Sequence, residues 1–76
     1  MPRHLPKKLR DIREKLGLGQ AEMAAKLKKA EPTVYPGLVS RYEHGKVQPS
    51  LLVVLEYARL AGVTMEQIVD DKLRLD

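Results

Sequence analysis

Hydrophobic residues recur along the chain at the three- and four-residue spacings of helices, and glycine or proline interrupts the pattern at each change of segment. Pro6 can begin a first helix, and Gly17 can end it in a left-handed conformation. Ser50 and Thr64 are suited to cap the starts of the last two segments. The pattern predicts five short helices and no strand, over residues 6–16, 20–28, 36–44, 51–61 and 65–69.

The apolar faces of these helices define an expected core. Its members are Leu5, Leu9, Ile12, Leu16, Met23, Ala24, Leu27, Val39, Tyr42, Leu51, Val54, Leu55, Ala58 and Ala61. Val53, Tyr57 and Leu60 form a second apolar stripe, at about 200°, 240° and 180° from Leu51 on a helical wheel. We expect this stripe to face away from the core and to form a two-fold dimer interface. The alternative is that the tail at residues 72–76 covers it within one chain.

Length and composition favour a small soluble protein. The 76 residues predict one domain, with its core at about residues 5–71 and a short tail at 72–76. The chain has no cysteine, and its longest apolar run, Leu51–Leu55, is far shorter than the ~20 residues of a membrane span. We therefore expect a cytoplasmic protein with neither disulfides nor a membrane segment.

The charge is unevenly divided along the chain, whose formal net charge is +4. Residues 1–29 contain 9 Lys or Arg against 3 Asp or Glu, residues 30–50 are balanced, and residues 51–76 carry a net charge of −2. This polarity favours a basic face that binds an anionic partner, with nucleic acid as the leading candidate and an ordinary solvated surface as the alternative.

Residues for catalysis or metal binding are scarce. His4 and His44 are far apart in the sequence, with no other ligand at helical spacing, so we expect no metal site. Ser40 and Ser50, the only serines, have no neighbouring histidine–acid pair. The glycines are spread among the connections and form no phosphate-binding loop. We therefore expect neither an enzyme nor a bound cofactor, and we expect His44 to close the end of the third helix.

Several sequence segments in order carry a resemblance to a known family. They are IREKLGLGQ at residues 12–20, AEMAAKL at 21–27, VSRYEHGK at 39–46, PSL at 49–51 and AGVTMEQIV at 61–69. Together they resemble the Cro and phage-repressor type of helix-turn-helix domain, the Xre family of bacterial and phage regulators, over about residues 5–71. The resemblance implies an all-α, compact five-helix helix-turn-helix domain of the lambda-repressor-like type. It also implies a DNA-binding transcriptional regulator whose recognition helix, at about residues 36–44, enters the major groove of double-stranded DNA.

The resemblance also implies roles for single residues. Gln20 matches a glutamine that donates to a DNA phosphate, and Lys46 matches a residue that contacts the DNA backbone after the recognition helix. Arg13 and Glu43 match a pair that links the first helix to the end of the recognition helix. The remaining candidate DNA contacts belong to that helix and to the segment before it, and they are Lys26, Lys28, Lys29, Tyr35, Leu38, Ser40 and Arg41. Among these, the guanidinium of Arg41 suits the O6 and N7 atoms of guanine. Tyr35 could either point at the sugar-phosphate edge of DNA or pack on the core beside the start of the helix.

The chain departs from the family pattern between the second and third helices. Eleven residues, 28–38, separate Leu27 from Val39, and about five of them are additional to the family's usual spacing. The positions that would contact base edges then fall on Pro36, Gly37 and Leu38, which cannot form bidentate hydrogen bonds with bases, although Leu38 could touch a thymine methyl group. This enlarged loop favours an alternative function, in which a protein-interaction module or antitoxin-like partner protein keeps the helix-turn-helix scaffold with weakened base readout.

Overall fold

The computed structural model describes residues 2–76, which form five helices and no strand. The helices are α1 (Leu5–Lys15), α2 (Gln20–Leu27), α3 (Pro36–Glu43), α4 (Leu51–Ala61) and α5 (Met65–Val69). The predicted all-α fold and the order of its helices are confirmed, and the predicted helix ends lie within one residue of the observed ends.

The residues that begin and end the helices explain this agreement. Gly17 and Gly62 adopt left-handed conformations, with φ of 73° and 68°, and stop α1 and α4 where a residue with a side chain would be strained. Ser50 Oγ accepts a hydrogen bond from the backbone N–H of Val53 at 3.3 Å and caps α4. Thr64 and Gln67 form a reciprocal capping box at the start of α5.

The core lies where α1, α2, α3 and α4 meet, and α5 closes one side of it through Ile68. Its buried hydrophobic residues are Leu5, Leu9, Ile12, Met23, Ala24, Leu27, Val34, Val39, Tyr42, Val53, Val54, Tyr57, Ala58 and Ile68. Helix α3 packs mainly on α2 and α1. No helix within residues 2–76 combines the length and the apolar character needed to cross a membrane.

The expected orientation of α4 is wrong. Val53 and Tyr57 are completely buried and Leu60 packs partly against the core, so the stripe predicted to form a dimer interface faces inward. Leu51 and Leu52 are instead 73% and 58% exposed. Helix α4 is apolar around most of its circumference, so the wheel alone could not identify the buried sector. The structure places the large ring of Tyr57 in the core, where it removes more apolar surface from water than a leucine would.

Three other expected core residues also differ from the prediction. Leu16 is exposed at the end of α1, while Leu55 and Ala61 are only half-buried, on the edge of the inward face of α4. Leu55 and Ala61 shift outward because the buried sector of α4 is centred near Tyr57 rather than near Leu55, and Leu16 lies beyond the last residue of α1. The core gains Val34 instead, from the connection between α2 and α3.

The connection between α2 and α3, residues 28–35, is anchored to the domain. The backbone N–H groups of Ala30 and Glu31 donate to the carbonyl of Leu27, and the N–H of Val34 donates to the carbonyl of Glu31. Val34 is 1% exposed and packs in the core, whereas Lys28 and Lys29 are exposed. The enlarged loop is therefore two consecutive turns held by one buried valine.

The residues after α5 fold back onto α1. Lys8 is buried, and its Nζ donates to the carbonyls of Gln67, Asp70 and Leu73 at 2.7, 2.9 and 2.9 Å. The carboxylate of Asp71 accepts hydrogen bonds from the backbone N–H groups of two residues just before α1, at 3.0 and 2.9 Å. The bonds from His4 and then Arg3 lower the pKa of Asp71. Lys8 is thus a structural lysine and does not add to a solvent-facing basic surface.

Removal of the Tyr57 hydroxyl is expected to stabilise the fold. This hydroxyl is buried and has no hydrogen-bond partner among residues 2–76, and burial raises the pKa of the phenol. An unpaired buried polar group costs about 1–3 kcal/mol, so Tyr57→Phe should raise the free energy of unfolding by about 1 kcal/mol in urea titrations. Tyr42→Phe is the matched control. The Tyr42 hydroxyl is not a fully buried group without a partner, so its removal should not raise the free energy of unfolding. A loss of stability in Tyr57→Phe would show that this hydroxyl has a partner.

Candidate nucleic-acid interface

Helix α3 divides into a buried face and an exposed face. Val39, Tyr42 and Glu43 are buried against the rest of the domain. Gly37 and Arg41, one turn apart, lie on the opposite face and are exposed. The exposed face is therefore available to an external partner along its whole length.

An ion pair between α1 and the end of α3 fixes the orientation of α3. Arg13 Nε and Nη2 donate to Glu43 Oε2 and Oε1 at 2.7 and 3.0 Å, and Nη1 donates to the carbonyl of Leu18 at 3.0 Å. The side chains are 15% and 2% exposed, respectively. The hydrogen bond with Glu43 raises the pKa of Arg13. The structure thus brings together the pair that the family resemblance implied, and one arginine ties α1, the α1–α2 connection and α3 together.

The start of α2 offers unpaired hydrogen-bond donors. Gly19 precedes α2 and has no side chain to cap it, while the carboxylate of Glu22 bonds back to the N–H of Gly19 at 2.8 Å. Gln20 is the first residue of α2, and its Nε2 lies 3.5 Å from Glu43 Oε1, at the limit of a hydrogen bond. Backbone N–H groups in the first turn of a helix suit a phosphate oxygen, and the amide of Gln20 lies beside them.

Exposed cations occur along the two helices α2 and α3 and their connections. Arg41 and Lys46 lie on α3 and just after it, and Lys26, Lys28 and Lys29 lie at the end of α2 and in the following turn. The salt bridges found within residues 2–76 join other residues, so none of these five cations is neutralised by one. Glu43 is paired with Arg13, so within residues 20–46 five exposed cations stand against the carboxylates of Glu22 and Glu31, and the charge of this segment is positive.

Ser40 lies on the flank of α3 and is half-buried. Its Oγ is 3.4 Å from His44 Nδ1, and the same ring nitrogen is 2.7 Å from the Ser40 carbonyl oxygen. His44 thereby closes the last turn of α3, as the sequence predicted. The Ser40 hydroxyl is thus engaged locally, which makes it a weaker candidate for an external contact than Arg41.

The first turn of α3 presents no polar side chain. Tyr35 immediately precedes the helix in an extended conformation, and its side chain is exposed. Leu38 is half-buried and packs partly on the core. Gly37 leaves space beside the ring of Tyr35, and the sequence analysis did not predict this role. The only signal for it in the sequence is an aromatic residue two positions before a glycine in a helix.

A family model described as helix-turn-helix matches residues 9–68, which are 60 of the 76 residues of the chain. The chain belongs to this family. The family is the Xre and lambda-repressor-like type of helix-turn-helix, a class of DNA-binding domain, and the matched range contains all of α2 and α3. Comparison with curated proteins and with solved structures gives no significant match.

The helix-turn-helix of this chain has an unusually long connection. Residues 28–35 join α2 to α3, whereas such turns generally contain about three or four residues. Val34 anchors this longer segment in the core and the Arg13–Glu43 pair holds the far end of α3, and α3 packs on α2. Five of these eight residues are exposed, so the longer connection adds surface immediately before α3.

Proposed function

We propose that this helix-turn-helix protein is a cytoplasmic transcriptional regulator that inserts α3 into the major groove of double-stranded DNA. One observation carries the proposal. The helix-turn-helix carries the exposed face of α3, the open first turn of α2 and five cations without salt bridges, while the carboxylate of Glu43 is paired with Arg13. This arrangement matches the charge and shape of a duplex.

The proposed contacts fall into two classes. Gln20, Lys28, Lys29 and Lys46 bind phosphates and set the position of the protein without regard to sequence. Arg41, on the exposed face of α3, reads a guanine through its planar guanidinium. Ser40 and Leu38, on the flanks of α3, contact the groove walls.

Loss of a phosphate contact should weaken binding to all sequences alike. Gln20→Ala and Lys46→Ala are each expected to reduce affinity by about 0.5–1.5 kcal/mol, the usual net contribution of one hydrogen bond. Fluorescence anisotropy with two unrelated duplexes measures this. Lys72→Ala, which removes an exposed lysine of the tail, is the matched control and should change nothing. Weakening that is confined to one duplex would contradict a phosphate role.

We further propose that the protein binds DNA as a homodimer, through a surface that differs from the one expected from sequence. Leu51 and Leu52 are exposed at the start of α4, directly after the connection that carries Lys46. The molecule measures 30 × 24 × 20 Å. Two copies joined at this edge are together long enough for two recognition helices to lie ~34 Å apart, the distance between successive major-groove faces.

The dimer proposal has a direct test. Leu52→Glu is expected to raise the dimer dissociation constant at least about tenfold, which corresponds to about 1.4 kcal/mol, and to weaken DNA binding in parallel. Leu73→Glu changes a 41% exposed leucine of the tail and is the matched control. Sedimentation that shows a monomer at tens of micromolar for the unaltered protein, with one chain per duplex, would refute this proposal.

A second candidate function rests on the same exposed leucines and on the first turn of α3, which has no polar side chain. Both features suit a protein-interaction or antitoxin-like module with weakened base readout. A folded protein that binds no duplex above non-specific affinity would favour this candidate over a regulator.

A further inference from the structure

The ring of Tyr35 lies over the first turn of α3, where a side chain of residue 37 would otherwise project. A Cβ atom added to Gly37 would lie 2.9 Å from Cε2 and 3.3 Å from Cδ2 of Tyr35. Gly37 does not have a positive φ, so no backbone requirement explains the glycine. The absence of a side chain at Gly37 is what allows the ring to lie there.

The Tyr35 ring is exposed to solvent. Tyr35 is 50% exposed, and the neighbouring Pro36 and Gly37 are exposed as well. The hydrogen bonds that involve side chains of residues 2–76 include none to the Tyr35 hydroxyl. The domain thus presents an aromatic ring and a free hydroxyl at the start of α3.

We propose that Tyr35 is a base-contacting residue that recognises thymine through its C5-methyl group in the major groove. This inference rests on the proposed function, since it requires α3 to enter the groove. Pro36 and Gly37 offer no polar side chain for a base edge, so apolar contact is the readout left to the first turn. The thymine methyl is the one apolar group that the major groove displays, and it distinguishes thymine from cytosine. Leu38, half-buried and packed partly on the core, is the other large apolar side chain of this turn.

The test removes the methyl group alone. A duplex bound by the unaltered protein is synthesised with deoxyuridine in place of each thymine in turn, which leaves every hydrogen-bonding group of the base unchanged. At one position per half-site, the unaltered protein should bind about fourfold more weakly, the change expected for one buried methyl group. Tyr35→Ala should bind the thymine and deoxyuridine duplexes equally at that position, and Tyr35→Phe should keep the difference. Thermal unfolding by circular dichroism verifies that each variant folds.

A second variant tests the support that Gly37 gives to the ring. Gly37→Ala keeps the ring but displaces it by its added Cβ, so this variant should also lose thymine discrimination while it remains folded. Discrimination that survives in Tyr35→Ala, or that disappears only in Leu38→Ala, would overturn the assignment to Tyr35. Indifference of the unaltered protein to every deoxyuridine would overturn it as well. The failure of the proposed function is a separate result, because the unaltered protein would then bind no duplex specifically.

Discussion

Replacement of Arg13 by alanine is expected to lower the free energy of unfolding by about 3–5 kcal/mol, the usual cost of breaking a buried ion pair. The carboxylate of Glu43, only 2% exposed as a side chain, would lose both of its short hydrogen bonds and keep only the 3.5 Å contact with Gln20. A domain of this size is stable by about 4–11 kcal/mol, at about 0.05–0.15 kcal/mol per residue. The substitution would therefore remove a large part of the total free energy of unfolding. Urea unfolding followed by circular dichroism measures this loss.

Two further variants separate the buried pair from ordinary ion pairs. Lys7 and Asp11 form an exposed pair at 2.8 Å, and Lys7→Ala should cost only about 0.3–0.5 kcal/mol. The double variant Arg13→Met with Glu43→Leu should recover most of the stability, because it leaves no buried charge unpaired. If Arg13→Ala proved no more damaging than Lys7→Ala, the pair would not hold α3 in place.

The affinity for DNA is expected to fall steeply with salt. Lys28, Lys29 and Lys46 give three phosphate contacts per chain, so a dimer neutralises six phosphates under the proposed binding mode. At a slope of about −0.9 per phosphate, the dimer should lose about 10³-fold in affinity between 50 and 200 mM salt. Anisotropy titrations across this range measure the slope of log K against log salt.

The same titrations contain their own control. Lys46→Ala should make the slope shallower by about 0.9 for each chain, whereas Lys72→Ala in the tail should leave it unchanged. Tight binding that does not respond to salt would be incompatible with a basic face that contacts phosphates.

The helices could be predicted from sequence because short-range chemistry determines where they begin and end. Gly17 and Gly62 supply left-handed stops, and the Thr64–Gln67 capping box starts α5 through contacts only three residues apart. The Arg13–Glu43 pair was found through the family resemblance, since nothing in their spacing places two residues thirty positions apart in contact.

Other features depend on tertiary packing and left no local signal. The buried sector of α4 was predicted incorrectly because Leu51–Leu55 is apolar on every side, and only the packing of Tyr57 against the other helices selects one face. In the sequence, Lys8 cannot be distinguished from an exposed lysine, yet its Nζ donates to three carbonyls at and after the end of α5. The turn-like residues 28–35 predicted a loop, but not the burial of Val34 that anchors it.

Selection of bound duplexes from a random pool tests DNA recognition by α3 most directly. The same selection is carried out in parallel with Arg41→Ala and with the tail variant Arg74→Ala. The unaltered protein and Arg74→Ala should enrich the same roughly palindromic site, with a guanine at a fixed position in each half. Arg41→Ala should still enrich related duplexes, but with that guanine replaced by a mixture of bases. If the folded, unaltered protein enriched no sequence, or if Arg41→Ala enriched the same site with the same guanine, α3 would not be the element that reads DNA.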